Sequence, residues 1–247
     1  MNRVTDPVRI AMWSGPRNIS TAMMYSFDNR GDTIAIDEPF YAHYLKKTAV
    51  DHPNSQLVIQ AGETDWQIVA NRISAGSTGE AKIYYQKHMT HHLFQEMHGD
   101  WMKLLTHCIL IRDPREVLLS LSKKIDDIDA QATGIPQQIE LLETIQSLTG
   151  QNPPIIDSRD ILENPQGMLS SLCHSIGIPF DESMLSWKPG PRECDGIWAP
   201  HWYDVVWKSN GFAKYRPRHG ELNQELEDIY SECKGHYDKL YAQRLCC

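Results

Sequence analysis

The sequence predicts an α/β fold: a mainly parallel β-sheet with helices covering both faces. Three observations carry this reading. Short apolar runs of strand length recur along the chain, stretches with helical spacing alternate with them, and the clearest strand-to-helix junctions hold Gly-Pro or an N-cap followed by proline.

Val8 to Ser14 reads as a buried strand running into a Gly15-Pro16 turn. Ser20 to Arg30 follows as a helix with Met23, Met24 and Phe27 at helical spacing, stopped by Gly31. A second strand covers Thr33 to Ile36, and Asp37-Glu38-Pro39 ends it because Pro39 biases Glu38 away from helix. An aromatic loop and a polar stretch with Trp66 then lead to a third apolar run at Ile83 to Tyr85. The fourth strand, His107 to Ile111, precedes Asp113-Pro114-Arg115-Glu116, which supplies an N-cap, proline at the first helical position and a capping-box glutamate. Val117, Leu118, Leu121 and Ile125 give this helix a face for the sheet, and a second amphipathic helix is expected between Pro136 and Leu148. Ile155-Ile156 is a further short strand after Pro153-Pro154. Asn164-Pro165 opens a helix bearing Met168, Leu169, Leu172 and Ile176, and Glu221 to Tyr241 forms a charged closing helix. No repeat, low-complexity run or linker divides the chain, so residues 1–247 are read as one domain.

Composition narrows the function. With 41% hydrophobic and 23% charged residues the chain can build a core. No apolar run has the length of a membrane span, and the opening MNRVTDPVRIAMW is broken by Arg3, Asp6, Pro7 and Arg9. A cytoplasmic protein without membrane contact is expected. The six cysteines show no CxxC spacing, which points to reduced thiols rather than a zinc ribbon or disulfide scaffold. A formal net charge of −8 argues against coating nucleic acid, so a bound anion requires a locally basic pocket.

Two motifs offer such a pocket. Ser14-Gly15-Pro16-Arg17-Asn18-Ile19-Ser20-Thr21 lies between the first strand and first helix, where backbone N–H groups, the helix dipole, the Arg17 guanidinium and two hydroxyls can converge on one phosphate. No Gly-Lys-Ser/Thr closes the loop, so it is not a Walker A sequence. By itself, a Gly-Pro turn before a helix is also a common structural device. The second motif places Arg112 at the end of the fourth strand and Ser120 about two turns into the next helix, where both can face an anion at the sheet's carboxyl edge. The plain alternative is an arginine satisfying a helix cap and a serine on a solvated face.

Taken together these motifs resemble the phosphoadenosine phosphosulfate-dependent sulfotransferase family. Pro16-Arg17-Asn18-Ile19-Ser20-Thr21 is similar to that family's 5′-phosphosulfate loop, and Arg112 with Ser120 to its 3′-phosphate pair. Asp160-Ile161-Leu162-Glu163-Asn164-Pro165 and Ile176-Gly177-Ile178-Pro179-Phe180 resemble its late turn and helix end, so the likeness covers roughly residues 8–185. It departs at Asn18-Ile19, where many members have Ser-Gly, and at Ser158, where an aromatic residue often helps hold the nucleotide.

The resemblance implies a three-layer α/β/α, P-loop-like domain. The implied co-substrate is 3′-phosphoadenosine 5′-phosphosulfate (PAPS), bound by Gly15, Pro16, Arg17, Asn18, Ile19, Ser20, Thr21, Arg112 and Ser120, with Lys208 in Trp207–Phe212 as a further basic contact. It also implies a small-molecule acceptor presenting a hydroxyl or amine, and no required metal. The oligomeric state stays open, a homodimer included.

For the reaction, the resemblance gives Arg17 the leaving 5′-phosphate and Lys87, read as just after the third strand, the sulfuryl oxygens. Two bases stand as alternatives, since the family uses a carboxylate in some branches and a histidine in others: Glu38, which matches the carboxylate branch and is preferred, and His88. His88, His91 and His92 also admit a metal site, but no clear carboxylate partner accompanies them. Phe40, Tyr41, His43 and Tyr44, and a second cluster of Trp198, His201, Trp202, Tyr203 and Trp207, are either core packing or acceptor walls. Two other functions remain compatible with the fold: a P-loop small-molecule kinase and a non-catalytic nucleotide-binding protein.

Overall fold

In the computed structural model, which describes residues 6–125 and 127–247, five strands form one fully parallel sheet in the order β2-β3-β1-β4-β5. Residues 1–5, Arg3 among them, lie outside the described residues. The strands are β1 Val8–Ser14, β2 Thr33–Asp37, β3 Ile83–Met89, β4 Thr106–Ile111 and β5 Ile155–Asp157. The helices that matter most here are α1 Ser20–Asp28, α2 Tyr41–Thr48, α3 Ser55–Ala61, α4 Trp66–Ala75, α5 Pro114–Leu121, α6 Ile135–Thr149, α7 Ser158–Glu163, α8 Pro165–Ser175, α9 Ala199–Trp202, α10 Asp204–Trp207 and α11 Gln224–Tyr241.

Strand alternation builds three layers. Ile10, Met12, Tyr85, Cys108 and Leu110 face α1 and α8, packing on Met23, Met24, Phe27, Leu169 and Leu172. The opposite face carries Ala11 and Trp13 against Val69 and Ile73 of α4. On that same side Ile109, Ile111 and Ile155 pack on Leu142 of α6 and on Cys233, Tyr237 and Leu240 of α11. No helix among the described residues is long and apolar enough to cross a membrane.

Several expected boundaries shift for identifiable reasons. β3 runs to Met89 rather than stopping at Tyr85, because the polar residues in its second half are buried and partnered. Gln86 Nε2, for example, donates to the Ile73 carbonyl at 2.8 Å. The stretch read as an aromatic loop and polar segment folds as α2, α3 and α4; the last is capped by Asp65, whose side chain accepts from Gln67 N. The closing helix starts at Gln224, with Asn223 accepting from Leu226 N as its cap. Asp113 caps α5 as expected, accepting from Arg115 N, but Glu116 turns to Arg112 and Tyr215 instead of closing a capping box.

The topology prepares a crevice. From β1 the chain departs through α1 toward β2, whereas from β4 it departs through α5 and α6 toward β5. Neighbouring strands whose connections leave in opposite directions open a cleft at their carboxyl ends. Close backbone packing supports it: a Cβ on Gly15 would lie 2.3 Å from the Thr133 carbonyl oxygen, and Gly134, at φ +71°, lies against Gly15 Cα. Only glycine lets the loop after β1 sit this close to the start of α6.

Candidate functional site

The loop after β1 enters α1 without a side-chain cap at Ile19 and without an acidic residue in the first turn. The orphan N–H groups and positive dipole end of α1 are therefore not neutralised by the chain itself. Asn18 ties this loop to β4 by donating from Nδ2 to the Leu110 carbonyl at 3.0 Å, while its Oδ1 accepts from Ile19 N at 2.9 Å. Arg17 holds φ +55°, a left-handed backbone unusual for a non-glycine residue.

That conformation joins the two anion motifs. Arg17 Nε donates to Ser120 Oγ at 2.9 Å, and Arg112 Nη1 donates to the Arg17 carbonyl at 2.7 Å. A third guanidinium, Arg218, belongs to the same group: burial, then the charges of Arg218 and Arg112, lower the Arg17 pKa. Burial and then Arg112 lower that of Arg218. Glu116 opposes these charges, accepting at Oε2 from Arg112 Nε and Nη2 at 3.0 and 2.7 Å and at Oε1 from Tyr215 at 2.7 Å. Burial pushes the Glu116 pKa up, but those hydrogen bonds outweigh it and hold the carboxyl below its ordinary value. Beside this group a cleft of about 350 Å³ is lined by Arg112, Arg159 and Arg218, with Tyr215 and with the carboxylates Asp113 and Asp157 among others. Three guanidiniums, Arg17, Arg112 and Arg218, thus gather in an acidic chain, with Glu116 against them.

Lys208 is not brought to it. The residue after Lys208, Ser209, accepts from Trp187 Nε1, and Asn29, just past the end of α1, donates to the Ser186 carbonyl. This places Lys208 toward the opposite end of α1 from the Arg17 loop. The basic residues from the carboxyl-terminal part that do line the cleft are Arg218 and Lys234.

A second centre forms at the ends of β2 and β3. Asp37 and Lys87 are register partners across the two strands. Lys87 Nζ donates to Asp37 Oδ1 at 2.8 Å, to Glu38 Oε1, and to the Tyr203 hydroxyl at 2.9 Å. Tyr203 in turn donates to Asp37 Oδ2 at 2.6 Å, and Gly196 N donates to the same oxygen at 3.2 Å. An ammonium has three N–H donors, and all three of Lys87 are engaged within the protein. The expectation that Lys87 lies just after β3 is corrected here: it lies within the strand.

Burial alone would depress Lys87, but Asp37 and then Glu38 outweigh it and hold the pKa well above the ordinary value. For Glu38 burial dominates, with Lys87 opposing it and Asp37 adding to it, and the pKa rises to about 6. Glu38 also sits at φ +41°, so both residues singled out at the ends of β1 and β2 hold strained backbone.

His88 faces the other side of the sheet. Its ring stacks on Trp13 at 4.2 Å and lies 5.7 Å from Phe40, and it hydrogen-bonds Gln86 Oε1 at 3.1 Å. Burial, then His107 and Lys87, lower its pKa well below the ordinary histidine value. Adjacent strand residues point to opposite faces, so the geometry unites Glu38 with Lys87 but not with His88.

Beside Glu38 the two predicted aromatic clusters meet. His92 packs against the rings of Tyr41 and Tyr44, at 4.9 and 4.4 Å, and Trp198 meets Tyr41 edge-on at 4.9 Å. Phe40 instead enters the core on the far face. Sequence reading missed Asp37 and Arg218 as site residues, and gave Tyr203 only as one of an aromatic cluster, not as a partner of Lys87. The Asp37-Glu38 pair beside a lysine in the next strand was a usable signal; Tyr203 and Arg218 have no local motif.

A family model described as "Sulfotransferase domain" matches residues 8–242, from β1 to just past the end of α11. Two curated relatives from Arabidopsis thaliana are similar: "Branched-chain-amino-acid aminotransferase-like protein 1", 34% identical over 94% of this chain and 43% of its own length, and "Branched-chain-amino-acid aminotransferase-like protein 2", 37% identical over 83% and 36%. The chain spans less than half the length of either, and their names describe those longer proteins. Among solved structures, the sulfotransferase domain from the curacin biosynthetic pathway superposes with a TM-score of 0.55 at 16% identity, covering 93% of this chain and 98% of its own. A sulfotransferase from Alicyclobacillus acidocaldarius gives 0.54 at 8% identity, covering 98% of each chain. At those identities the likeness shows a shared fold, and the family match runs through every strand of the sheet: the chain belongs to the sulfotransferase domain family.

Proposed function

We propose that this protein transfers a sulfuryl group from PAPS to a hydroxyl or amine of a small acceptor. The observation that carries this reading is the Arg17 Nε to Ser120 Oγ hydrogen bond, which makes one continuous basic site from the two anion motifs. A nucleotide phosphorylated at both the 3′ and 5′ positions suits such a site. The uncapped start of α1, Arg17 and the hydroxyls of Ser20 and Thr21 take the 5′ end; Ser120, Arg112 and Arg218 take the 3′-phosphate; the cleft beside Tyr215 takes the adenosine.

Glu38 is the base in this scheme. It lies two strands from the β1 loop, a separation of about 10 Å at ordinary strand spacing. A pKa of about 6 leaves it ionised at neutral pH yet basic enough to accept a proton in the transition state. Lys87, pinned by Asp37 and Tyr203, orients Glu38. The acceptor's lone pair forms the new bond to sulfur as its proton passes to Glu38. The bond between sulfur and the bridging oxygen breaks, and its electron pair leaves with the 5′-phosphate, where the charge of Arg17 stabilises it.

Calorimetry tests the donor assignment. Adenosine 3′,5′-bisphosphate should bind without magnesium and more tightly than AMP or ATP. Magnesium-dependent preference for ATP would replace the sulfotransferase reading with a kinase one.

A further inference from the structure

His92 is the part of the Glu38 centre that the scheme above leaves without a task. Its side chain is 3% exposed, and Nδ1 has no hydrogen-bond partner among the described residues although it is buried. Nδ1 lies 3.9 Å from Glu38 Oε2, the carboxylate oxygen not bonded to Lys87. The imidazole packs on Tyr41 and Tyr44 at interplanar angles of 6° and 29°, with Nδ1 on its Glu38 side. Trp198 Nε1, on the same aromatic wall, is also buried without a partner among the described residues. Buried polar atoms are rarely left unpaired, and these two on one wall call for a polar partner, a water or a ligand group.

A separation of 3.9 Å is too long for a direct hydrogen bond. It is the right span for one oxygen placed about 2.8 Å from each atom. The imidazole is neutral: burial, then its histidine and lysine neighbours, hold its pKa well below the ordinary value. A neutral ring has one N–H, and the carboxylate opposite Nδ1 favours the proton there. The gap is therefore bounded by one donor, His92 Nδ1–H, and one acceptor, Glu38 Oε2.

We infer that the gap between His92 and Glu38 seats the acceptor atom and selects a hydroxyl over an amine, with His92 as the second residue that touches it. The inference rests on the sulfotransferase reading. A hydroxyl oxygen has one proton for Glu38 and two lone pairs, one to accept from His92 and one to attack sulfur. A neutral amine has a single lone pair, which cannot do both, and a protonated amine has none. During transfer the oxygen's free pair bonds to sulfur, its proton moves to Glu38 Oε2, and the pair of the breaking sulfur–oxygen bond leaves on adenosine 3′,5′-bisphosphate. His92 gains and loses no proton.

The test compares phenol with aniline and benzyl alcohol with benzylamine, using sulfur-labelled PAPS, in the wild type and in His92→Phe, which keeps a stacking ring but has no N–H. The alcohols should be preferred by the wild type, and His92→Phe should lower their kcat/KM roughly 10- to 100-fold while the amine rates barely move. An unchanged alcohol-to-amine ratio overturns the inference. Bisphosphate calorimetry on the same two proteins separates the two readings: wild type that fails to bind it sinks the donor assignment, whereas equal binding with an unchanged ratio sinks only the role of His92. Nitrogen-15 NMR of histidine-labelled wild type decides the matter where a variant misfolds or no acceptor reacts. The Nδ1–H tautomer at His92 is expected, and an Nε2–H tautomer contradicts the proposal.

Discussion

Arg17 and Glu38 hold left-handed backbone just after β1 and β2 of one sheet, at φ +55° and +41°. Each such conformation costs about 1 kcal/mol for a residue with a Cβ. Arg17→Gly should therefore raise the melting temperature by about 2 °C while lowering affinity for adenosine 3′,5′-bisphosphate at least ~10-fold, as the guanidinium is lost. Arg17→Ala should show the same affinity loss without the stability gain; equal melting temperatures for the two variants would remove strain from the explanation. Glu38 makes a pH prediction. As pH falls through about 6 the carboxylate takes up a proton and loses its ability to act as base, so kcat/KM should fall about tenfold per unit below that point and level off above it. A single break near the ordinary lysine or tyrosine range would point to another base. Both residues were legible in sequence because they sit in short motifs at strand ends. Arg218 was not, and Tyr203 was seen only as one of an aromatic cluster, since both come from irregular or very short segments whose partners only the tertiary fold supplies.

Among the elements, the loop after β1 depends on close packing against the start of α6. Gly15→Ala sets a Cβ 2.3 Å from the Thr133 carbonyl oxygen, whereas a Cβ on Gly31 meets nothing within 4 Å. The first substitution should push the loop away from α6 and weaken bisphosphate binding, with a stability loss of about 1–3 kcal/mol, and the second should leave binding unchanged. Denaturant unfolding and calorimetry on the pair would check this, and equal binding in both would mean that the loop tolerates the shift. The strands and the α5 start were read from local pattern: Asp113 and Pro114 are chemistry that only a helix start uses. The second half of β3 escaped because Gln86-Lys87-His88 looks like a loop until its partners are known. Helices α2 to α4 escaped because each is short and their apolar faces are narrow. Glu116 matched a capping box by spacing, but the nearby Arg112 guanidinium offered it a stronger, charge-assisted pair.

Across the molecule, alternation of strand and helix was enough to anticipate the parallel sheet, because a parallel pair needs a long crossover between its strands. It did not disclose the strand order, and strand order is what makes the β1–β4 crevice. From that order follows the convergence of Arg17, Ser120, Arg112 and Arg218 on one site, about 100 residues apart in sequence in the case of Arg17 and Ser120. A crystal structure with adenosine 3′,5′-bisphosphate tests this convergence most directly. Its 5′-phosphate should lie on the Arg17 loop at the start of α1 and its 3′-phosphate beside Ser120, Arg112 and Arg218. A nucleotide bound elsewhere, or one whose 3′-phosphate points into solvent while Arg112 and Arg218 stay apart from it, would contradict the shared site.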